Sequence, residues 1–430
     1  MRSPKRTPKQ HRPRSVLPEV RQFIVFVHSR LKPGSASGDG IWFSRRDEGS
    51  LFMDPEEQAA YSAIIAALMK TYVPKDDLSR RSVETFVQDA LFEALDLRER
   101  RKTRFEERLD AELQTLLVRL KAPSQSFTCW IAVDGLERVG LPARFGDVRF
   151  AIFARPQFRQ MTRAQAKASS PSWKAHFKRI RESDLWNHTC AVVPVRARDF
   201  SAAQELALRR TRQVLDLVNV FSDLVPYNYG WLYLPGDTAR AKRIVPIQRN
   251  TDGAATMSYT AIDPLTDFSW KKLRAERLLF RLFSRLSTLA RKSETDTCGS
   301  LLVSAAQWIG RATIDRRREE AFLLYAIALE TLILPGEKSG ELGYRLKVRV
   351  AHLLGRTVAT RTQLAKSITR LYGIRSAIVH AGSYEVTDED LGLLRSVTKR
   401  VLFRIVRSTS LHRLTHDQLS DWFDRKILRK

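Results

Sequence analysis

The chain has 430 residues, of which 43% are hydrophobic and 28% are charged. This composition excludes wholesale disorder, and the length is typical of two or three domains. Lys and Arg number 74 against 47 Asp and Glu, which gives a formal net charge of +27. Such an excess of cations favours a polyanionic partner, with nucleic acid first and an acidic membrane surface second, although a merely basic surface would also explain it.

The three cysteines, Cys129, Cys190 and Cys298, are widely spaced and form no CxxC pair. Their spacing excludes a disulfide framework and suits a reducing, cytoplasmic location. No apolar run reaches the ~18 residues that would span a bilayer, and no apolar segment follows the basic N-terminus as it would in a secretory signal. Residues 1–18 are predicted to be a disordered basic arm that either contacts phosphate or is simply solvated.

The elements predicted for residues 19–265 mix strands and helices, which indicates an α+β region. The helix over 54–70 has the clearest local signals, because Asp54 can cap it and Pro55 suits its first turn. We expect this region to be a sensor or substrate-selection module. In chain order the predictions are a strand at 20–28, a helix at 54–70, helical structure over 82–120, strands at 127–133, 147–153 and 190–195, a helix at 201–222 and short β segments within 229–260.

Residues 266–430 are predicted to form an all-α domain, because Gly and Pro now fall mostly between helical patterns. The fold class is therefore an α+β N-terminal region followed by an all-α C-terminal helical bundle. Thr387 stands three residues before Asp390, which predicts a variant capping box at the last long helix. The predicted helices cover about 267–292, 300–312, 317–334, 340–355, 361–381 and 388–409.

Several motifs of catalysis are absent from the sequence. It has no GxxxxGK[ST] loop, no GxGxxG after a strand, no GxSxG and no HExxH. His412 and His416 are four residues apart, but no third metal ligand is recognisable by spacing, so a surface pair is predicted. No carboxylate cluster has the pattern of a two-metal nuclease. We therefore predict no metal and no cofactor, and any phosphodiester cleavage would be metal-independent.

The most informative segment is LYGIRSAIVHAGSY, residues 371–384, in which Arg375 and His380 flank four residues near the end of a predicted amphipathic helix. A histidine in a last turn faces the negative end of the helix dipole, which favours the protonated form needed for general acid–base catalysis. Arginine keeps its charge and matches phosphate oxygens in a bidentate way. The same spacing recurs in less favourable contexts, at Arg6–His11 in the basic arm and at Arg407–His412 where the last long helix ends.

Helix geometry complicates this pair. Positions five apart differ by about 140° around an α-helix, so one regular helix would not hold the two side chains side by side. Either the helix ends or distorts before His380, or a second copy of the chain completes the site, which predicts a two-fold dimer.

Three segments in order, residues 305–333, 335–355 and 371–382, resemble the HEPN superfamily and its Apea-like branch from bacterial phage-defence proteins. The family signature is Arg, four to six residues and then His, usually with a polar residue directly after the arginine. Arg375, Ser376 and His380 match it, and Glu330 matches the glutamate of the preceding long helix. The resemblance implies a metal-independent endoribonuclease over residues 266–430 that dimerises through its helices and brings two motifs into one cleft.

The resemblance also implies the chemistry, in which an RNA 2′-hydroxyl attacks the adjacent phosphate and leaves a 2′,3′-cyclic phosphate and a 5′-hydroxyl. His380 would move protons, Arg375 would stabilise the charge on phosphate, Ser376 would supply a hydrogen bond and Glu330 would orient Arg375 or His380. Each residue also has a structural alternative: an ion pair for Arg375, a satisfied helix-end histidine for His380, a surface serine for Ser376 and a buried pair for Glu330.

Further candidates concern RNA binding. Arg316, Arg317 and Arg318 precede a predicted helix whose N-terminus would repel cations, so we expect them outside it, touching phosphate or solvent. Tyr384 is a candidate for stacking on a base. The expected partners are RNA, with transfer RNA preferred, a second copy of the chain and a phage-derived trigger. The alternatives are a non-catalytic RNA-binding or assembly protein and the regulatory half of a toxin–antitoxin pair.

Overall fold

A computed structural model of the chain is mostly helical, with a small sheet in its N-terminal half. Two compact units divide the chain: the first comprises residues 1–129 and 194–207, and the second comprises 130–193 and 208–430. The predicted domain boundary at 265/266 lies inside the second unit. The structure describes residues 17–30, 41–45, 49–73, 77–95, 105–138, 141, 143–145, 147–153, 187–225, 230–234, 247–249, 255–257, 267–292, 296–315, 317–336, 341–381 and 385–428.

The described residues of the first unit that precede the sheet form four helices and a β-hairpin. Asp54 caps its second helix through a capping box with Glu57, which confirms the helix predicted at 54–70. Two helices, at Arg80–Leu95 and Phe105–Leu120, fall where the sequence predicted helical structure over 82–120. The elements are α1 (Leu17–Arg30), β1 (Ile41–Arg45), β2 (Gly49–Met53), α2 (Pro55–Tyr72), α3 (Arg80–Leu95) and α4 (Phe105–Leu120), with β1 and β2 antiparallel.

The strand predicted at 20–28 is wrong, because this segment belongs to helix α1. Val20, Phe23, Ile24 and Val27 follow helical spacing and are all buried. They pack among α2, α3 and α4. Burial of this apolar stripe outweighs the intrinsic strand preference of its Val, Ile and Phe residues.

The sheet confirms the three strands predicted at 127–133, 147–153 and 190–195. It is antiparallel and four-stranded, and a short additional strand lies at its edge. The predicted helix at 201–222 is also present, and part of the predicted β region forms a hairpin. The elements are β3 (Gln125–Ala132), β4 (Ala143–Phe145), β5 (Val148–Ile152) and β6 (Thr189–Ala197) in the spatial order β3-β6-β5-β4, then α5 (Phe200–Asn219), β7 (Ile247–Arg249) and β8 (Ala255–Met257).

From residue 267 onward every described element is helical, as the sequence predicted. Thr387 accepts a hydrogen bond from the backbone of Asp390 and so begins its helix at the predicted place. A final helix beyond residue 409 was not predicted. The elements are α6 (Trp270–Ala275), α7 (Arg277–Lys292), α8 (Cys298–Ile314), α9 (Arg318–Ile333), α10 (Leu342–Leu354), α11 (Val358–Ala381), α12 (Asp388–Arg407), a 3-10 helix (Thr409–Leu411) and α13 (His416–Leu428).

Helix α9 lies at the centre of this packing and contacts α8, α10, α11 and α12. Helix α8 also approaches α5 so closely that a Cβ atom on Gly310 would lie 2.0 Å from the carbonyl oxygen of Asp216, which only glycine permits. Lys399 of α12 is buried, and it donates to the carbonyl of Val220 and pairs with Asp223. Within the described residues, each helix is too short or too polar to cross a lipid bilayer.

Candidate functional site

Helix α11 carries Arg375, Ser376 and His380. It is continuous from Val358 to Ala381, so the possibility that the helix ends before His380 is wrong. Its core-facing stripe consists of four residues spaced three or four apart, which fixes the direction of every other side chain on the helix. These residues are Ile368, Leu371, Ile374 and Ile378, none more than 9% exposed.

Arg375 lies at the edge of this stripe and reaches across to α9. Its Nε atom is 3.2 Å from Oε1 of Glu330, and the two side chains are 29% and 26% exposed. The Oε1 atom is buried and has no well-formed hydrogen bond among the described residues, so the contact is an ion pair. Burial raises the pKa of the Glu330 carboxyl, and the neighbouring Arg375 lowers it only in part. Glu330 was expected to orient either Arg375 or His380. Its contact is with Arg375.

His380 occupies the last turn of α11 and is exposed to solvent. Within the described part of the chain its imidazole has no hydrogen bond and no ion pair. Because the helix is regular, His380 points about 140° away from Arg375 around the axis. One chain thus presents the two groups in different directions, and the expectation that a second copy completes the site stays a prediction. Ser376 is half-buried and has no described partner.

The arginine run was predicted to lie outside its helix, and for Arg318 this is wrong. Arg317 occupies the N-cap position of α9, and Arg318 is the first residue of the helix itself. Carboxylates neutralise both charges, which removes the expected repulsion by the helix N-terminus. Arg317 pairs with Glu320, and Arg318 lies 3.0 Å from Asp388. Arg316 and Tyr384 lie outside the described residues.

The histidine pair His412 and His416 does not share a helix, because His412 follows the 3-10 helix and His416 begins α13. The Nε2 atom of each is buried and has no hydrogen-bond partner among the described residues, so these are not simple surface histidines. Burial lowers the pKa of His412. No group of three or more His, Cys, Asp or Glu in the described ranges is placed to hold a metal ion.

A basic cleft in the second unit was not anticipated from the sequence. It has a volume of about 870 Å³ and is formed by the end of α10, the start of α11, one face of α12 and Lys426 of α13. None of the residues Glu330, Arg375, Ser376 and His380 lines it. Its cationic residues, with His352, are Arg356, Arg361, Arg400, Arg404, Arg407 and Lys426. We call this feature the basic cleft.

Comparison with known proteins gives no information on the function of this chain. No family model, no curated protein and no solved structure matches the chain. The case for any activity therefore depends on the arrangement around α11 and on the likeness of the three segments described above.

The pair of Glu330 and Arg375 gives a prediction for stability. The raised pKa of Glu330 means that burial of its charge outweighs its attraction to Arg375. For a carboxyl whose folded-state pKa is raised, the associated stability is full below its unfolded pKa and is lost as the pH rises through the folded-state value. We expect Glu330→Gln to be at least as stable as the parent at neutral pH and about equal near pH ~4.

Urea unfolding of both proteins across this pH range measures the effect. Thr331→Ser, one residue further along α9 and conservative, is a suitable control. A Gln variant that is less stable at neutral pH by more than ~1 kcal/mol would show instead that the ion pair is a net stabiliser.

Proposed function

We propose that this protein is a metal-independent endoribonuclease with a HEPN-like helical domain, acting in bacterial phage defence or as a toxin. The observation that carries the proposal is that one helix holds Arg375 against Glu330 at its edge and leaves the imidazole of His380 open to solvent. These are the two groups that the resemblance to HEPN proteins assigns to catalysis. The net charge of +27 supports RNA as the substrate.

The proposed reaction needs one proton acceptor, one proton donor and one cation. The RNA 2′-hydroxyl loses its proton and attacks the adjacent phosphorus, and the bond from phosphorus to the 5′-oxygen breaks. The leaving 5′-oxygen takes up a proton, so the products are a 2′,3′-cyclic phosphate and a 5′-hydroxyl. An imidazole such as His380 can serve in either proton transfer, and Arg375 can stabilise the charge that grows on the phosphate oxygens.

The proposed site is shared between two copies of the chain. Arg375 and His380 leave α11 about 140° apart, so a single helix does not present both to one phosphate. A two-fold dimer that packs the last turns of two α11 helices together would bring each motif towards its equivalent. Glu330 then has a positioning role, since it holds the guanidinium of Arg375 in place before substrate binds.

The test is incubation of the purified protein with total bacterial RNA, including transfer RNA, with and without EDTA, followed by mapping of the new ends. We expect cleavage that persists in EDTA and leaves cyclic-phosphate and 5′-hydroxyl ends. Parallel reactions with lysate from phage-infected cells test for a trigger. Cleavage that EDTA abolishes, or no cleavage in any of these reactions, would contradict the proposal.

One observation favours a second candidate, a non-catalytic RNA-binding protein. The basic cleft is separate from Arg375 and His380, and the charge of Arg375 is engaged by Glu330. This alternative predicts RNA binding that weakens steeply with salt, without cleavage, and no effect of substituting His380.

A further inference from the structure

Tyr344, in the first turn of α10, presents an aromatic ring on the surface of the second unit. It is 55% exposed, whereas the other Phe, Tyr and Trp side chains that the structure describes in this unit are buried or half-buried. The ammonium of Lys347, on the same helix, lies 4.8 Å from the centroid of the ring. This cation–π contact fixes the ring and leaves its other side open to a ligand.

The first turns of α10 pack against the part of α11 that carries Arg375. A Cβ atom on Gly343 would lie 3.0 Å from the ring of Tyr372, so the two helices touch at this level. Further along α10, Leu346 lines a small void together with Tyr372 and Arg375. Tyr344 is therefore beside the helix that holds the proposed catalytic groups.

Tyr344 also lies on the same exposed face as His380. A short turn joins α10 to α11, and the two helices pack antiparallel. Following the winding of α10, the positions pass from Gly343, which faces α11, to the exposed Tyr344. Following that of α11, they pass from Tyr372, which faces α10, to Ser376 and then to the exposed His380. Antiparallel right-handed helices wind in opposite senses when both are viewed from one end, so the two series turn to the same side of the pair.

The position of Tyr344 along α11 places it near the proposed site and outside the proposed dimer contact. Gly343 is level with Tyr372, and His380 is about 12 Å further along the axis of α11. A dimer that packs the last turns of two α11 helices leaves a ring at this level uncovered. A strand that offers its scissile phosphate to His380 and runs along this face towards α10 would lay one of its neighbouring bases on the ring.

We propose that Tyr344 is a stacking platform for a base of the RNA strand close to the cleaved bond. Every nucleobase has a flat π surface, so an aromatic ring can stack on any of the four. The ammonium of Lys347 adds a cation near the phosphates of the same strand. This role rests on the proposed function, because His380 fixes where the strand lies. It adds a substrate-binding residue that is not part of the arginine–histidine motif.

Binding of a labelled single-stranded RNA to full-length His380→Ala protein, followed by fluorescence anisotropy, tests the platform on RNA that stays intact. In this background Tyr344→Ala removes the ring, and Tyr344→Phe keeps it. Phe200→Ala, which removes an exposed aromatic ring from the first unit, is the matched control. A second probe of the same length consists of abasic ribose phosphates. Cleavage by the same variants with His380 intact gives kcat and KM.

We expect Tyr344→Ala to bind the RNA about fivefold or more weakly, and Tyr344→Phe and Phe200→Ala to bind it as the parent does. The abasic probe should bind all of these proteins alike, because it has no base to stack. With His380 intact, Tyr344→Ala should raise KM and change kcat little, since the ring contacts the strand away from the cleaved bond.

The proposal is overturned if no RNA binds, if Tyr344→Ala binds RNA as tightly as the parent, or if Tyr344→Phe loses as much affinity as Tyr344→Ala. It is also overturned if the abasic probe shows the same loss, which would make the contact one with the backbone. Failure of the proposed ribonuclease function gives a different result. In that case the protein with His380 intact cuts no RNA, while the expected pattern of binding still supports the platform.

Discussion

Substitution of His380 by alanine is expected to slow RNA cleavage by about 10³-fold, because a general acid–base group contributes ~10²–10⁴ to the rate. Arg375→Ala is expected to cost about 10²–10³, the range for loss of one group that stabilises transition-state charge. Both side chains are at least partly exposed, so neither change should unfold the protein. Rates of cleavage of an end-labelled RNA measure the effect, and Val379→Ala, an exposed neighbour in the same turn, is the matched control.

Mixing the two inactive variants tests whether the site is shared between subunits. If Arg375 of one subunit works with His380 of the other, a mixed dimer has one intact site, and random mixing restores about a quarter of the parental activity. Each variant mixed with itself should stay inactive. Absence of recovery in a confirmed mixed dimer would place both groups in one chain, and equal cleavage by the double variant and the parent would exclude catalysis by this pair.

The second large effect is expected at Arg349, whose side chain is only 1% exposed. Its guanidinium donates to the carbonyl oxygen of Ile333 at the end of α9 (3.0 Å) and to Ser420 Oγ (2.9 Å) and Asp424 Oδ1 (3.0 Å) of α13. It also lies 5.5 Å from the ring centroid of Phe423. A single side chain of α10 thereby joins three helices.

Arg349→Ala is expected to destabilise the protein by roughly 3 kcal/mol or more, because it removes the donor to the buried carbonyl of Ile333 and opens a cavity. The ion pair contributes little of this, since Asp424 is 56% exposed and solvent screens its charge. Urea unfolding measures the loss. Lys347→Ala, on the same helix, removes only a surface contact with the ring of Tyr344 and should cost under ~1 kcal/mol. Equal losses in the two variants would contradict the role given to Arg349.

Local signals explain which elements were predictable. Helix α2 was predicted because Asp54, Pro55 and the apolar period all act within one short segment. Helix α1 was mistaken for a strand because its Val, Ile and Phe residues favour strands locally, and only packing against three other helices decides otherwise. The Arg318 position was missed for a similar reason, since its neutralising partner Asp388 is 70 residues away.

The candidate site was predictable in part. The sequence and the resemblance placed Arg375 and His380 on one helix and Glu330 on the preceding long helix, and the structure brings Glu330 to Arg375. The direction of the His380 side chain depends on whether the helix is regular up to that residue. The spacing of Arg375 and His380 in the sequence does not decide this. The basic cleft could not be predicted, because its cations come from four helices and from the turn before α11. No one of these segments stands out by its charge in a chain with 74 Lys and Arg residues. Helix α13, which contributes Lys426 to the cleft, was itself not predicted.

The unbroken length of helix α11 links the basic cleft to His380. It is 24 residues long, or about 36 Å, without a break. Thr360 and Arg361 line the basic cleft near one end, and His380 lies at the other. An unbroken helix turns or slides as one body, so a displacement at its first turn is delivered to its last. A displacement of Thr360 and Arg361 would therefore be accompanied by a displacement of His380 at the other end of the same helix.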